Sequence, residues 1–241
     1  MTTLTTTVDD LLLRAAAYQV LAVGYGYPDA TQQLRLDGLI EDLVRAGTEV
    51  DASWAAGFEP LRRARSAGGD VEIEAEFNQL FSGEITCAPH ESAYEPDIFR
   101  RQRSLADIAG FHSAFGFELP ENSRWQPDHI GVELELCALL LQRQAQAEAE
   151  GWEPQATVCD DALRAFLDDH LGRWYAAFCR RLGSLASTPF YRELARVTDA
   201  WVRRELVRWQ LDPEPLADRP RSAEDDAPPA CGGCPATPST S

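Results

Sequence analysis

The sequence predicts an all-α fold, and three observations carry the prediction. Apolar residues recur at helical spacing in nearly every periodic segment. No segment alternates apolar and polar residues with period two for long, so no strand is expected. No internal repeat stands at fixed spacing, which sets solenoid arrays aside. The expected architecture is one globular bundle of about eight to ten helices over residues 1–211, with a disordered tail over 212–241.

Each element has its own signal. Thr7 with Asp10 has the form of a capping box. The run Leu11, Leu12, Leu13, Ala15, Ala16, Ala17, Val20 and Leu21 follows, apolar almost all round, as in a helix at the centre of a bundle. Gly24, Gly26 and Pro28 stop it. A second helix is expected from Asp29 to Arg45, with Leu36, Leu39, Ile40 and Leu43 on one face. A third surrounds Trp54, Phe58 and Leu61; Gly68-Gly69 ends it, and a fourth carries Ile73, Phe77, Leu80 and Phe81. Ser82 to Pro96 reads as a loop, residues 97–116 as a helix, and Glu118 to Gln126 as a second connector. Pro127 suits the first position of the next helix, where its missing N–H would have no partner anyway. That helix extends to about Glu150, with a stripe of Ile130, Leu134, Cys137 and Leu141. Another spans Ala156–Arg181, interrupted at Gly172, and Pro189 opens the last, with Phe190, Leu194, Val197 and Trp201 in line. Beyond Leu211 the composition turns to Pro, Asp, Ala, Ser and Thr.

Composition excludes several functions. The 241 residues include 39 acidic and 22 basic side chains, a net charge of −17. All 22 basic residues are arginine. Without a lysine amine, P-loop nucleotide hydrolysis, Schiff-base chemistry and Ser/Lys pairs are ruled out. The acidic excess argues against nucleic acid and favours cationic partners. No apolar run is long and unbroken enough for a membrane span, and the N-terminus lacks the features of a secretory signal. A cytoplasmic protein with reduced thiols is expected.

Charge is unevenly spread. Ser66 to Phe99 holds eight carboxylates and no arginine; Arg173 to Arg208 holds eight arginines and three carboxylates. The acidic run is interleaved with Phe77, Leu80, Phe81, Ile85, Tyr94, Ile98 and Phe99. A solvated acidic face is the plain reading. An aromatic groove with an acidic rim is the sharper one, suited to a peptide with a basic head and an apolar body. His129 and Glu133 share a helix side at i, i+4, and Asp128 lies at the expected helix start. Glu133 falls inside the apolar arc, either as a metal ligand or as a buried carboxylate paired with an arginine. A metal-dependent hydrolase using His129, Glu133 and His90 is therefore an alternative. Cys231-Gly-Gly-Cys234 has a spacing that chelates zinc or closes a redox disulfide, though it lacks a second pair nearby. Cys87, Cys137, Cys159 and Cys179 are isolated, as small core hydrophobes are. No motif calls for a bound cofactor.

Three blocks point further: Glu76-Phe77-Asn78-Gln79-Leu80-Phe81, then Pro89-His90-Glu91-Ser92-Ala93-Tyr94, then Trp125-Gln126-Pro127-Asp128-His129-Ile130-Gly131-Val132-Glu133-Leu134-Glu135. In this order the chain resembles the TorD/DmsD/NarJ family, cytoplasmic maturation chaperones of molybdenum-cofactor oxidoreductases. The resemblance covers residues 8–210 in helical layout. It implies a single all-helical domain without catalytic turnover, as a monomer or a domain-swapped dimer. It also implies binding to the twin-arginine leader of a molybdopterin oxidoreductase catalytic subunit, which is held open for cofactor insertion before export. The leader-binding surface implied comprises Phe77, Leu80, Phe81, Pro89, His90, Glu91, Ser92, Tyr94, Trp125, Asp128, His129 and Glu133. His90 stands where relatives often carry an aromatic ring, and Phe77 where a tryptophan occurs; both bear on leader specificity. A permanent accessory subunit of an oxidoreductase is the further alternative.

Overall fold

The computed structural model describes residues 7–50, 52–82, 86–117 and 125–220. The expectations for the Trp54 side chain, Glu84, Ile85, most of the second connector, Cys231 and Cys234 lie outside the described residues. Among the described residues nine α-helical segments follow in order: α1 (Val8–Gly24), α2 (Ala30–Val50), α3 (Ala52–Ala67), α4 (Asp70–Phe81), α5 (Ile98–Ala114), α6 (Ile130–Glu150), α7 (Glu153–Phe166), α8 (Gly172–Leu185) and α9 (Pro189–Trp209). A single 3₁₀ turn, Glu91–Ala93, lies in the loop between α4 and α5, and a π turn, Leu167–Leu171, joins α7 to α8. Among the described residues the only β pairing is an isolated antiparallel bridge between His90 and His129.

Helix α1 is the hub, as its all-round apolar sequence requires. It packs on α6, α2 and α9, while α2 packs on α3, α6 on α7, and α8 and α3 on α9. Thr7 caps it, its hydroxyl accepting the Asp10 N–H at 3.2 Å. Arg14, which interrupts the apolar run, is 1% exposed. It reaches Glu205 of α9 through a bidentate pair, Nη2 at 2.7 Å and Nε at 3.1 Å from the same carboxylate. Where α6 crosses the end of α1, a Cβ on Gly131 would stand 3.2 Å from the Ala22 carbonyl oxygen, so the small residue sets the closeness of the central pair.

Several helix boundaries differ from expectation: α2 runs on past Arg45 to Val50, α7 starts earlier, at Glu153, and two cases have a clear cause. Pro127 is not the first residue of α6. Residues 127–128 form a turn, His129 is the N-cap, and the helix begins at Ile130. The turn is fixed by the bridge to the preceding loop, a long-range contact that a local proline rule does not see. The expected interruption at Gly172 takes the form of the π turn just before it. A Cβ there would lie 2.2 Å from the Leu167 carbonyl oxygen and 2.9 Å from Pro213 Cγ. Pro189 does open α9, behind Thr188 as N-cap. The Glu76 carboxylate of α4 accepts the Thr188 N–H at 3.0 Å and the Ser187 hydroxyl at 2.8 Å. Burial by itself would raise the Glu76 pKa, but these bonds outweigh it and hold the carboxyl below its usual range.

The segment after Leu211, which the sequence assigns to the tail, runs back along the body through Pro220. Leu216 N–H donates to the Arg173 carbonyl at 2.8 Å, and Ala217 N–H to the Tyr94 carbonyl at 3.1 Å. Arg180 pairs with Asp218 at 2.5 Å, and Leu216 packs on the core. The polar composition hides these backbone bonds, which need no apolar pattern. Cys87, Cys137, Cys159 and Cys179 are buried free thiols, and burial pushes Cys87 up to about 12.

Candidate functional site

The loop between α4 and α5 is stitched to the start of α6. Ile130 N–H donates to the Pro89 carbonyl at 2.9 Å, and Glu91 N–H to the Asp128 carbonyl at 3.0 Å. These bonds place the second and third sequence blocks side by side. Asp128 locks the junction: its Oδ1 lies 3.2 Å from His90 Nδ1, and its Oδ2 accepts the Ser92 N–H at 3.0 Å. Burial would raise the Asp128 pKa; the bonds from His90 and Ser92 outweigh it, and the carboxyl stays ionised below its ordinary value. Asp128 thus precedes the helix start and serves the loop rather than capping α6.

His129 does the capping. Its Nδ1 accepts the Gly131 N–H at 3.0 Å, so the ring proton resides on Nε2. Burial, reinforced by His90, pushes its pKa down to about 3, and the ring is neutral at physiological pH. Trp125 lies over the His129 ring with centroids 4.3 Å apart. From there an aromatic chain runs through Phe77 (6.1 Å) to Phe81 (5.1 Å) and on to Tyr191 of α9 (5.8 Å). All three blocks therefore converge.

Beneath the junction lies a buried polar cluster. Glu91 accepts the Ser104 hydroxyl of α5, and its Oε2 stands 3.2 Å from His170 Nδ1 in the π turn. His170 Nε2 lies 3.1 Å from Asp107. Burial disfavours a charged imidazole, but the two carboxylates outweigh it and raise the His170 pKa. Glu133 of α6 is fully buried and accepts the Trp174 indole N–H at 3.0 Å. Its other oxygen has no hydrogen-bond partner among the described residues. Burial first, and then the Glu91 charge, raise the Glu133 pKa well above the carboxylate range. The Glu133 carboxyl therefore holds its proton to higher pH than an ordinary carboxylate does.

Set against the sequence, the named residues come together, but mostly as packed interior. Phe77, Leu80, Phe81, Pro89, Glu91, Tyr94, Asp128, His129 and Glu133 are buried; His90, Ser92 and Trp125 reach the surface in part. The partner of Glu133 is an indole, not an arginine; the buried arginine pair is Arg14–Glu205. His90, His129 and Glu133 do not form a metal-holding group, and no such group occurs among the described residues. The sequence reading missed Ser104, Asp107, His170 and Trp174. Ser104 and Asp107 share a helix side at i, i+3, a spacing visible in the sequence, but nothing local connects them to Glu91.

The fold is similar to that of a redox enzyme maturation protein from Archaeoglobus fulgidus. The two superpose with a TM-score of 0.50 at 15% identity, over 79% of this chain and 93% of that one. Residues 48–180 match the family described as nitrate reductase delta subunit. The chain is 30% identical to a selenate reductase assembly chaperone protein of Thauera selenatis, over 73% of this chain and 79% of that protein. It is 26% identical to a perchlorate reductase assembly chaperone protein of Dechloromonas aromatica, over 83% and 91%. A chaperone protein TorD of Vibrio cholerae is 24% identical over 56% of this chain. The chain belongs to the nitrate reductase delta subunit family, the NarJ/TorD group of assembly chaperones. No helix among the described residues is long and apolar enough to cross a membrane.

Proposed function

We propose that this protein is a cytoplasmic, non-catalytic chaperone for the catalytic subunit of a molybdopterin oxidoreductase. It binds the subunit's twin-arginine leader and its folding intermediate while cofactor is inserted, before export. The convergence of the three blocks on the stitched junction is the observation that carries the reading. His90 and Trp125 supply partly exposed rings there, and exposed Ile98 and Phe99 stand at the nearby start of α5. Exposed carboxylates of the arginine-free stretch, among them Glu72 and Asp97, suit a cationic head. Family membership and the assembly-chaperone names of the relatives support the same role.

In this reading the twelve residues divide by position. His90, Ser92 and Trp125 meet the leader directly. Asp128, His129, Glu91 and Glu133 hold the junction in shape, and Phe77, Leu80, Phe81, Pro89 and Tyr94 support it from below. Asp128 acts through His90 and Ser92, because both of its oxygens are already engaged.

Calorimetry with a synthetic leader peptide tests this. His90→Ala and Trp125→Ala should each weaken binding about tenfold, as loss of a contact ring does. Affinities equal to wild type in both variants would overturn the assigned surface. Co-purification from cells that have completed enzyme maturation tests the role. A chaperone is absent from the finished complex, whereas a stoichiometric band would favour a resident subunit.

A further inference from the structure

A second surface lies at the other end of α1. Asp9, Leu12, Leu13 and Ala16 of α1 follow one another at i, i+3, i+4 and i+7; Leu39, Asp42, Leu43, Ala46, Glu49 and Val50 of α2 continue the same pattern. Together they line an open groove of about 430 Å³. Leu13 and Leu43 form its buried floor. Leu12 and Val50 project from its walls, 47% and 55% exposed. Ala16 and Ala46 leave the room between them.

The rim has one sign. Asp9, Asp42 and Glu49 are the charged residues of the lining, and no arginine is among them. Asp42 meets Arg45 along its own helix, but in an exposed pair, which holds little energy. Asp9 and Glu49 make no ion pair among the described residues. The α2 stripe from Leu39 to Val50 extends about 16 Å, the length of about three helical turns. Two apolar ridges with small residues among them have the form that takes up a third helix.

We propose that this groove binds a short amphipathic helix of a partner protein, one with a leucine-rich face and arginine or lysine at its flanks. The apolar face settles on Leu12, Leu13, Leu43 and Val50, and the cationic flanks meet Asp9, Asp42 and Glu49. None of these residues belongs to the junction around His90 and Asp128, so the proposal does not rest on leader binding there.

The test uses the full chain and a fluorescein-labelled peptide of about fourteen residues, or about four helical turns. Leucines sit at i, i+3, i+4 and i+7, with arginines at both ends; a scrambled peptide of equal composition is the control. Fluorescence anisotropy should show binding that weakens as salt rises, with the scrambled peptide bound at least about tenfold more weakly. Ala46→Arg, which fills the groove and places a cation in it, should weaken binding about tenfold. The surface variant Asp9→Asn with Glu49→Gln, which leaves the packing untouched, should flatten the salt dependence. Hydrogen exchange should slow over 9–16 and 39–50. His90→Ala should leave all of this unchanged, which separates this site from the junction. Equal binding of the scrambled peptide, protection elsewhere, or loss of affinity in His90→Ala would overturn the proposal. So would a dimer of this chain that Ala46→Arg abolishes, since the occupant would then be a second copy.

Discussion

Glu133→Gln should stabilise the protein, and by an amount that grows with pH. The carboxyl is fully buried, and its folded pKa lies well above its ordinary value of 4.5. In the unfolded chain it releases its proton as pH rises through the ordinary value; in the folded chain it holds the proton until the higher one. Between the two, the unfolded state carries fewer protons, and stability falls by about 1.4 kcal/mol per pH unit. The loss from this one group accumulates over the whole interval between the ordinary and the raised value. Glutamine is neutral throughout. Its oxygen can still accept the Trp174 indole N–H, and its amide brings no charge near Glu91. His129 and His112, pushed down to about 3 and about 4, act oppositely, because they make stability rise with pH up to the ordinary histidine value. They are present in both proteins and drop out of the difference. Urea unfolding followed by tryptophan fluorescence at pH 5, 6, 7 and 8 measures that difference. A variant-minus-wild-type gap that does not widen between pH 5 and 7 would refute the buried, protonated Glu133.

Three further outcomes follow from the same geometry. Arg14→Ala leaves Glu205 buried without its partner and should cost about 3–5 kcal/mol, while Arg14→Met combined with Glu205→Leu should recover most of it, by chemical denaturation. Gly172→Ala forces a Cβ against the Leu167 carbonyl and Pro213 and should cost about 1–3 kcal/mol, with faster amide exchange at Leu216 and Ala217 as the returning segment loosens. In an NMR titration, His129 should stay neutral down to about pH 3 and His112 to about 4, whereas His170 should hold its proton above the ordinary histidine value of 6.5; its stabilising share is full below that value and fades as pH rises through the raised one.

Local signals carried the helices well. Thr7 capped α1, the all-round apolar run put that helix at the centre, and Pro189 opened α9. They failed where a distant segment decides the outcome. Pro127 satisfies the rule for a first helical residue, yet the backbone bonds of Pro89 and Glu91 to residues 128–130 hold it in a turn. Glu133 was legible as buried from its place in the apolar arc, but its partner, Trp174, comes from a helix 41 residues on. The aromatic and acidic alternation of residues 70–99 includes Phe77 and Phe81, which meet, but Tyr94 packs on Trp174 instead and Phe99 stands exposed. It did not reveal which face water, because that depends on α9 and the returning segment covering Phe81 and Tyr94.

The partly exposed rings at the junction are the end of a chain of dependence that runs through the interior. His90 is positioned by Asp128, and Asp128 by the turn that the bridge to Pro89 and Glu91 enforces. Glu91 in turn is held by Ser104 of α5 and His170 of the π turn, while the backbone of Tyr94 is tied to Ala217 beyond α9. Each link joins residues far apart in sequence, so no isolated segment can assemble this surface. On the proposed reading a leader peptide would meet a preformed surface, and its binding would not have to order the loop.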